Sequence, residues 1–161
     1  MSTAAPASAS VKLPADAKVA VVAARFNAHI TDELLTGCLR RLGELGLAGE
    51  QIEVHRVPGA FELPVAARVL AQTKKFAAVV CLGCVVRGDT PHFDYVAGEC
   101  ARGIQQVSVA ECLPVIFGVL TTNTEQQALD RCGGPHGHAG ERAAEAAAEM
   151  IAMVAAARGH V

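Results

Sequence analysis

Residues 77–96 of the chain read AAVVCLGCVVRGDTPHFDYV, and this stretch decides the fold. Its first half, residues 77–86, is a continuous apolar run, which is typical of a strand covered on both faces of a parallel sheet. Its second half is a polar turn at residues 87–91, followed by a helical pattern from His92. Open α/β folds bind ligands where a buried parallel strand ends in such a turn. The stretch therefore predicts a central strand with a ligand site at its carboxyl end.

His92 is the candidate proton-transfer group at this turn. Gly88 lets the backbone approach a ligand closely, and the unpaired N–H groups at a helix start favour anions. The alternative is structural, because loops between strands and helices often carry Gly, Asp and Thr as turn and cap residues. A histidine in such a loop is commonly a solvated residue. Position alone leaves both interpretations open.

The composition indicates one globular domain. The chain has 161 residues, of which 52% are hydrophobic, and a mean hydropathy of +0.32. No apolar run is long enough for a membrane span, so we interpret the excess apolar surface as buried between subunits. Aromatic residues make up only 4% and the net charge is −2. Base-stacking side chains are scarce and there is no basic patch, which argues against nucleic acid as a partner.

The 6 cysteines are scattered, and residues 1–10 have neither the basic nor the apolar segment of a secretory signal. We therefore expect reduced thiols in a cytoplasmic protein. Cys81 and Cys84 form a C-x-x-C pair, but in a strand this odd spacing points the two side chains to opposite faces. Metal binding or redox chemistry by the pair is therefore not expected.

Hydrophobic periodicity predicts a single domain at residues 18–158. Residues 1–17 are predicted to form an N-terminal arm, which is either flexible or an extra edge strand that needs a partner. The strands are predicted at residues 18–24, 51–57, 77–86 and 114–120, the second of them towards one side of the sheet. The helices are predicted at residues 31–45, with Thr31 as cap, and at 64–73, 92–108, 125–130 and 141–158. Alternating strands and helices with right-handed crossovers give a four-stranded parallel sheet.

Residues 131–140 read RCGGPHGHAG and are too rich in glycine to predict regular structure. His136 and His138 leave two interpretations open. One is a ligand or metal loop; the other is a connector, which we favour because two histidines are only half of a metal shell. In the next helix Glu141 and Glu145 begin an i, i+4 stripe of like charge, which destabilises the helix unless cations meet it.

Four strand ends converge in this topology, because the carboxyl ends of parallel strands lie at one edge of the sheet. They carry Phe26, residues 60–62, residues 87–92 and residues 121–123. Glu62 lies among apolar neighbours, so it is either the dipole partner of a helix start or a ligand contact. The chain has no G-x-G-x-x-G, no Walker pattern and no nucleophile elbow. These residues allow a cofactor-free reaction on a small phosphorylated substrate.

Four separate segments resemble the 6,7-dimethyl-8-ribityllumazine synthase family. They are ARFN at residues 24–27, VPGAFELP at 57–64, LGCVVRG and TPHFDYV within 82–96, and GVLTTN at 118–123. The resemblance implies a flavodoxin-like three-layer sandwich and the penultimate step of riboflavin biosynthesis. In that step 5-amino-6-(D-ribitylamino)uracil condenses with 3,4-dihydroxy-2-butanone 4-phosphate, releasing phosphate and water without metal or cofactor.

The resemblance implies that three strand ends hold the pyrimidine substrate. Phe26 would stack on its ring. The residues implied to hold the ribityl chain and the ring edge are Ala60, Phe61 and Glu62. Those implied to line the pyrimidine site through the end of the central strand are Cys84, Val85 and Val86.

The phosphorylated substrate is implied to lie beside the polar turn. Asp89 and Thr90 would contact its phosphate, and His92 matches the proton-transfer residue. Phe117 and Arg131 would complete the pocket from an adjacent subunit, with Arg131 facing the phosphate. Histidine exchanges protons near neutral pH and arginine offers a planar fork to a phosphate, so both residue types suit these steps.

The chain departs from the family pattern after Arg131. The family usually carries a Lys shortly before the last helix, where this chain has His138-Ala139-Gly140, and His138 is the candidate replacement. The family also has a carboxylate in the first turn of that helix. Here Glu141 lies one position early, and Arg142 takes the usual place.

The resemblance also implies an assembly. In this family pentamers are the basic unit and often close into an icosahedral 60-mer, and the short loop before the last helix favours such a shell. Two rival interpretations stay open: a module that holds a flavin-like heterocycle on Phe26, and a shell protein that encloses a partner such as riboflavin synthase. His92 and Arg131 argue against the first, because a heterocycle binder needs neither a proton shuttle nor a phosphate fork.

Overall fold

A computed structural model describes residues 11–159 of the chain. Its main strands are β1 (Val19–Ala24), β2 (Ile52–Val57), β3 (Ala78–Val86) and β4 (Val115–Thr122). Its helices are α1 (Ala28–Glu44), α2 (Leu63–Gln72), α3 (His92–Glu111), α4 (Glu125–Leu129) and α5 (Ala139–Ala157). The four strands are all parallel, in the order β2-β1-β3-β4, with helices on both faces. This confirms the predicted α/β class and the flavodoxin-like three-layer sandwich.

Two apolar clusters hold the helices onto the two faces of the sheet. The inner strands β1 and β3 alternate their side chains between the clusters: Val21 packs towards α1 and α5, and Val22 towards α2 and α3. Cys81 and Cys84 also fall in opposite clusters, which confirms that their spacing directs them to opposite faces. As predicted, β2 lies at an edge of the sheet and the apolar run of β3 lies inside it.

The start of α1 differs from the prediction. Asn27 adopts the left-handed conformation, with φ of 57°, and the helix begins at Ala28 rather than at Thr31. Asparagine tolerates this conformation, and the Asn27 side chain donates a hydrogen bond to the Cys84 carbonyl at 3.0 Å, which fixes the turn. Thr31 is buried inside the helix and does not act as its cap. The Asn27 side-chain amide therefore joins the turn after β1 to the end of β3.

The glycine-rich segment 131–140 forms a small hairpin, contrary to the expectation of irregular structure. Its strands are β5 (Cys132–Gly134) and β6 (Gly137–His138), and they pair antiparallel. Gly133 and Gly137 have φ of 98° and 74°, which residues with a side chain rarely adopt. The glycines therefore build the hairpin by taking backbone conformations that most residues avoid.

The last helix, α5, begins at Ala139, two residues before the predicted Glu141, because the hairpin leads directly into it. It packs against α1, which supplies the cations that the glutamate stripe requires. Arg40 pairs with Glu141, and Arg41 Nε donates to Glu145 at 2.9 Å. These ion pairs lie at the surface, so they orient the two helices more than they stabilise them.

At Gly140 the backbone of α5 closely approaches that of α1, and we expect Gly140→Ala to destabilise the fold. A Cβ atom at this position would collide with the Leu34 carbonyl. Overpacking of this kind costs about 1–3 kcal/mol in the free energy of unfolding, measured by denaturant titration at fixed protein concentration. Gly43→Ala is the matched control, because nothing lies within 4 Å of its added methyl group. Equal effects of the two substitutions would contradict the close packing.

The segment before β1 contains no strand within residues 11–17, and residues 1–10, where the rest of the predicted arm falls, lie outside the described residues. Leu13 and Ala17 pack against the core cluster of α1 and α5. The Gln51 side chain donates to the carbonyls of Ala15 and Ala17 at 3.2 and 2.8 Å. Within residues 11–159, none of the helices has the length and apolar character needed to cross a membrane.

Candidate active site

A pocket of about 310 Å³ opens at the carboxyl ends of β1 and β3, a volume within the range of small-molecule sites. It brings together most of the predicted site residues from motifs far apart in sequence. Those lining it are Phe26, Ala60, Phe61, Cys84, Val85, Val86, Thr90 and His92. Gly88, which the sequence predicted to let the backbone approach a ligand, also lines the pocket. Asn27, Gly59, Phe93 and Val96 complete the lining and were not predicted as site residues.

Two exposed aromatic rings flank the mouth of the pocket. Phe26 follows β1, and its backbone N–H donates to the Pro58 carbonyl at 2.9 Å, which ties the turn after β1 to the end of β2. Phe26 is 72% exposed and Phe61 is 57% exposed. Large rings left open beside a cavity are suited to stacking on a flat heterocycle.

The wall of the pocket is the last part of β3. Cys84 is buried there, and burial is the main cause that raises the pKa of its thiol to about 12, with Cys132 and Glu125 adding smaller effects of the same sign. The thiol therefore stays protonated near neutral pH. Because the nucleophile of cysteine chemistry is the thiolate, this burial favours Cys84 as part of the apolar wall over a reacting group.

Glu62 does not line the pocket. Its carboxylate accepts a hydrogen bond from the Gly59 N–H at 2.9 Å, at the start of the short 3-10 helix Ala60–Glu62. This contact agrees with the interpretation of Glu62 as the partner of a helix start. It fixes the turn that carries Ala60 and Phe61 to the pocket.

Asp89, Phe117 and Arg131 also lie outside the pocket lining. Asp89 is exposed in the loop after β3. Phe117 lies on β4, the strand at the other edge of the sheet, and is 44% exposed. The Arg131 guanidinium donates to the Gln127 carbonyl at 2.7 Å, beside the hairpin. Within one chain these three residues, like Glu62, are therefore not brought into the pocket with the other predicted site residues.

His138 and His136 lie in different environments. The His138 ring lies against Gly37 of α1, and its Nδ1 atom is buried without a hydrogen-bond partner. The ring therefore belongs to the contact between α1 and the hairpin. His136 is exposed, and its carbonyl accepts a bond from Arg142 at 2.9 Å. Residues 11–159 contain no group of three or more His, Cys, Asp or Glu residues that could hold a metal ion.

Arg87 organises the loop that carries His92. Its guanidinium pairs with Asp94 at 3.0 Å, donates to the Asn123 side chain at 3.1 Å, and lies 4.1 Å from the ring centre of Phe93. These contacts tie the end of β3 to the end of β4 and to the first turn of α3, whose first residue is His92. The sequence analysis missed this role, because the partners of Arg87 are set by the fold and not by local pattern.

We expect Arg87→Gln to lower kcat about tenfold, because it loosens the helix start that positions His92. Arg102→Gln is the matched control, since Arg102 lies on α3 itself and pairs with a carboxylate, Glu99, at 3.4 Å. Its side chain is 67% exposed and, within residues 11–159, forms no hydrogen bond or ion pair with the loop after β3. Steady-state rates are compared with circular dichroism of both variants. An equal loss in both variants would assign the effect to helix stability instead of positioning.

A family model described as 6,7-dimethyl-8-ribityllumazine synthase matches residues 16–155. The chain belongs to the 6,7-dimethyl-8-ribityllumazine synthase family. A curated relative of that name from Coxiella burnetii (strain CbuG_Q212) is 47% identical over 137 residues, which cover 85% of this chain and 91% of the relative. Membership of the lumazine synthase family confirms the predicted family and, with it, the predicted transferase activity in riboflavin biosynthesis.

Proposed function

We propose that the pocket at the carboxyl ends of β1 and β3 is where 5-amino-6-(D-ribitylamino)uracil condenses with 3,4-dihydroxy-2-butanone 4-phosphate to give 6,7-dimethyl-8-ribityllumazine. The observation that carries this proposal is the convergence of three separate motifs on one cavity. Phe26, Phe61 and the end of β3 line it together, with His92 on its wall. The family match supports the identity of the two substrates.

The pyrimidine substrate is proposed to lie between the aromatic rings and the end of β3. Phe26 stacks on its ring, and Phe61 and the backbone at Ala60 contact the ribityl chain. In this proposal Glu62 acts by holding the Gly59 turn, which agrees with its hydrogen bond to the Gly59 N–H. The neutral Cys84 thiol, Val85 and Val86 form an apolar wall that excludes water from the ring.

His92 is proposed to move protons during the condensation. The amine of the pyrimidine attacks the ketone carbon, and the adduct loses water to form an imine. Loss of a proton from the carbon next to the imine then expels phosphate and leaves an enol, which takes up a proton at its terminal carbon to become a ketone. The second amine attacks this ketone and closes the ring with loss of a second water. Addition and dehydration transfer protons at nitrogen and oxygen, and the loss of phosphate transfers protons at carbon; an imidazole both accepts and donates protons near neutral pH. Holding the two substrates together supplies most of the rate acceleration.

A neighbouring subunit is proposed to complete the site for the phosphate. Among the described residues that line the pocket, none is a Lys or Arg, and the nearby Arg87 is committed to Asp94 and Asn123. Asp89 and Thr90 carry the loop that faces the phosphate, so the positive charge has to come from elsewhere. Phe117 and Arg131 of an adjacent chain are proposed to supply the missing wall and the missing cation.

The proposed assembly is a pentamer that closes into an icosahedral shell. Exposed apolar side chains support burial between chains, including Val65, Val69, Tyr95 and Val109. Riboflavin synthase is the proposed enclosed partner. A cytoplasmic location is proposed because all 6 cysteines are free, which suits a reducing compartment.

The proposal is tested by mixing the purified protein with both substrates and following the absorbance of the lumazine product. Steady product formation is expected, with phosphate released in equal amount. Binding of the pyrimidine without turnover would instead favour the heterocycle-binding module. Light scattering of the same sample distinguishes a pentamer from a closed shell.

A further inference from the structure

The start of α5 carries a cation that no step of the proposed reaction has yet used. Arg142 lies in the first turn of this helix, and its Nη1 atom donates to the His136 carbonyl at 2.9 Å. Within residues 11–159 it forms no ion pair with a carboxylate. The neighbouring Glu141 turns instead towards Arg40 of α1. The guanidinium fork of Arg142 is therefore held in place with most of its donors unused.

Few other cationic side chains at the carboxyl end of the sheet lack a carboxylate partner. Arg56 is paired with Asp32, and Arg87 is paired with Asp94. In the described part of the chain this leaves Arg25, Arg131 and Arg142 at that end without a carboxylate partner. Arg25 lines neither the pocket nor the groove along β4. Arg131 and Arg142 are thus the two cations available on the hairpin side of the molecule.

Arg142 and Phe117 line the same groove. The groove, of about 220 Å³, runs between the outer edge of β4 and the first turns of α5. Ala139 lines it one helical turn before Arg142, so that a small side chain leaves room beside the guanidinium. Phe117 is the aromatic residue proposed to complete the pocket of an adjacent chain. A neighbouring subunit that contacts Phe117 would therefore also contact Arg142.

The hairpin joins Arg131 to the start of α5. The Ala139 N–H donates to the Arg131 carbonyl at 2.8 Å, which joins the residue before β5 to the first residue of α5. Arg131 and Arg142 consequently flank one short hairpin. Their nearest hydrogen-bond partners are backbone carbonyls, of Gln127 and His136, which hold each guanidinium without neutralising its charge.

We propose that Arg142 is a second phosphate-binding residue, which acts with Arg131 on the butanone phosphate held in the pocket of the adjacent subunit. The inference rests on the proposed function. A phosphate ester carries close to two negative charges near neutral pH, and two guanidinium forks match that charge and its three oxygens. His138, the other candidate for this role, has its ring against Gly37 and is not available.

The test uses the full-length oligomer and three variants: Arg142→Gln, Arg142→Lys and Arg158→Gln. Arg158 is the matched control, because it follows the opposite end of α5 and donates to the Cys112 carbonyl at 3.0 Å. We expect Arg142→Gln to raise KM for the butanone phosphate about tenfold or more, while KM for the pyrimidine stays within about twofold. Arg142→Lys should recover part of the loss, and Arg158→Gln should match the unmodified protein.

Calorimetric titration with inorganic phosphate gives a readout that does not depend on turnover. Its affinity should fall about tenfold in Arg142→Gln and remain unchanged in Arg158→Gln. Unchanged phosphate affinity and unchanged KM in Arg142→Gln would overturn the inference, as would an equal loss in Arg158→Gln, which would indicate a general field effect. If the unmodified protein formed no lumazine, the proposed function would fail separately, and the phosphate titration would still decide the role of Arg142.

Discussion

Replacement of His92 by alanine is expected to lower kcat about 100-fold and to leave measurable turnover. Proton transfer by a positioned side chain contributes an acceleration of this order, whereas the positioning of two substrates contributes more and survives the substitution. His92 is exposed on the pocket wall as the first residue of α3, so its removal opens no cavity in the core. The measurement is the rate of lumazine formation at saturating concentrations of both substrates.

His29→Ala is the control for this experiment. His29 lies at the start of α1, is also exposed, and contacts Glu125 at 2.7 Å outside the pocket. Its replacement should change kcat by less than about twofold, because surface pairs of this kind contribute little. Complete loss of activity in His92→Ala with an intact circular dichroism spectrum would show that the imidazole contributes far more than a proton shuttle. No loss at all would remove His92 from the mechanism.

Replacement of Arg131 by glutamine is expected to raise KM for the butanone phosphate by about 10–100-fold, with little change in KM for the pyrimidine. In the proposed site the substitution removes a charge-assisted fork from the phosphate, but it leaves the pocket lining of each chain intact, because Arg131 is not part of it. Arg131→Lys should recover part of the affinity, since an ammonium retains the charge without the bidentate geometry. The two KM values are measured separately, each with the other substrate in excess.

Mixed oligomers test whether His92 and Arg131 come from different chains. Co-expression of equal amounts of His92→Ala and Arg131→Gln subunits should produce about one fully intact site in four, if each site takes one residue from either side of a heterologous interface. Activity of the mixture should then exceed the mean activity of the two separate variants at low butanone phosphate concentration. Activity equal to that mean would show that both residues serve a site within one chain.

Much of the fold follows from patterns that are visible in the chain. The apolar run at residues 77–86 identifies β3, because a strand covered on both faces has no solvent-exposed face and therefore needs no polar side chains. The convergence of Phe26, Ala60 and His92 follows from parallel strands ending at one edge. These predictions depend on periodicity and topology, which are averaged over many residues and tolerate local exceptions.

Local backbone choices and distant contacts were not predictable in this way. The left-handed Asn27 and the hairpin at residues 132–138 depend on single backbone angles, which composition alone does not specify. The contact of Arg87 with Asn123 joins residues 36 positions apart, and it exists only once β3 and β4 are paired. Arg142 was visible as a departure from the family pattern, but its position beside Phe117 required the structure.

The two halves of the proposed site are built on strands with different neighbours. The pyrimidine wall belongs to β3, which is hydrogen-bonded on both sides, whereas Phe117 belongs to β4, which has a strand on one side only. Backbone amides of edge strands open to solvent more often than those of interior strands, so amide exchange with deuterium begins there. In the separate chain we therefore expect the amides of β4, which carries Phe117, to exchange before those of β3, which carries Cys84, Val85 and Val86.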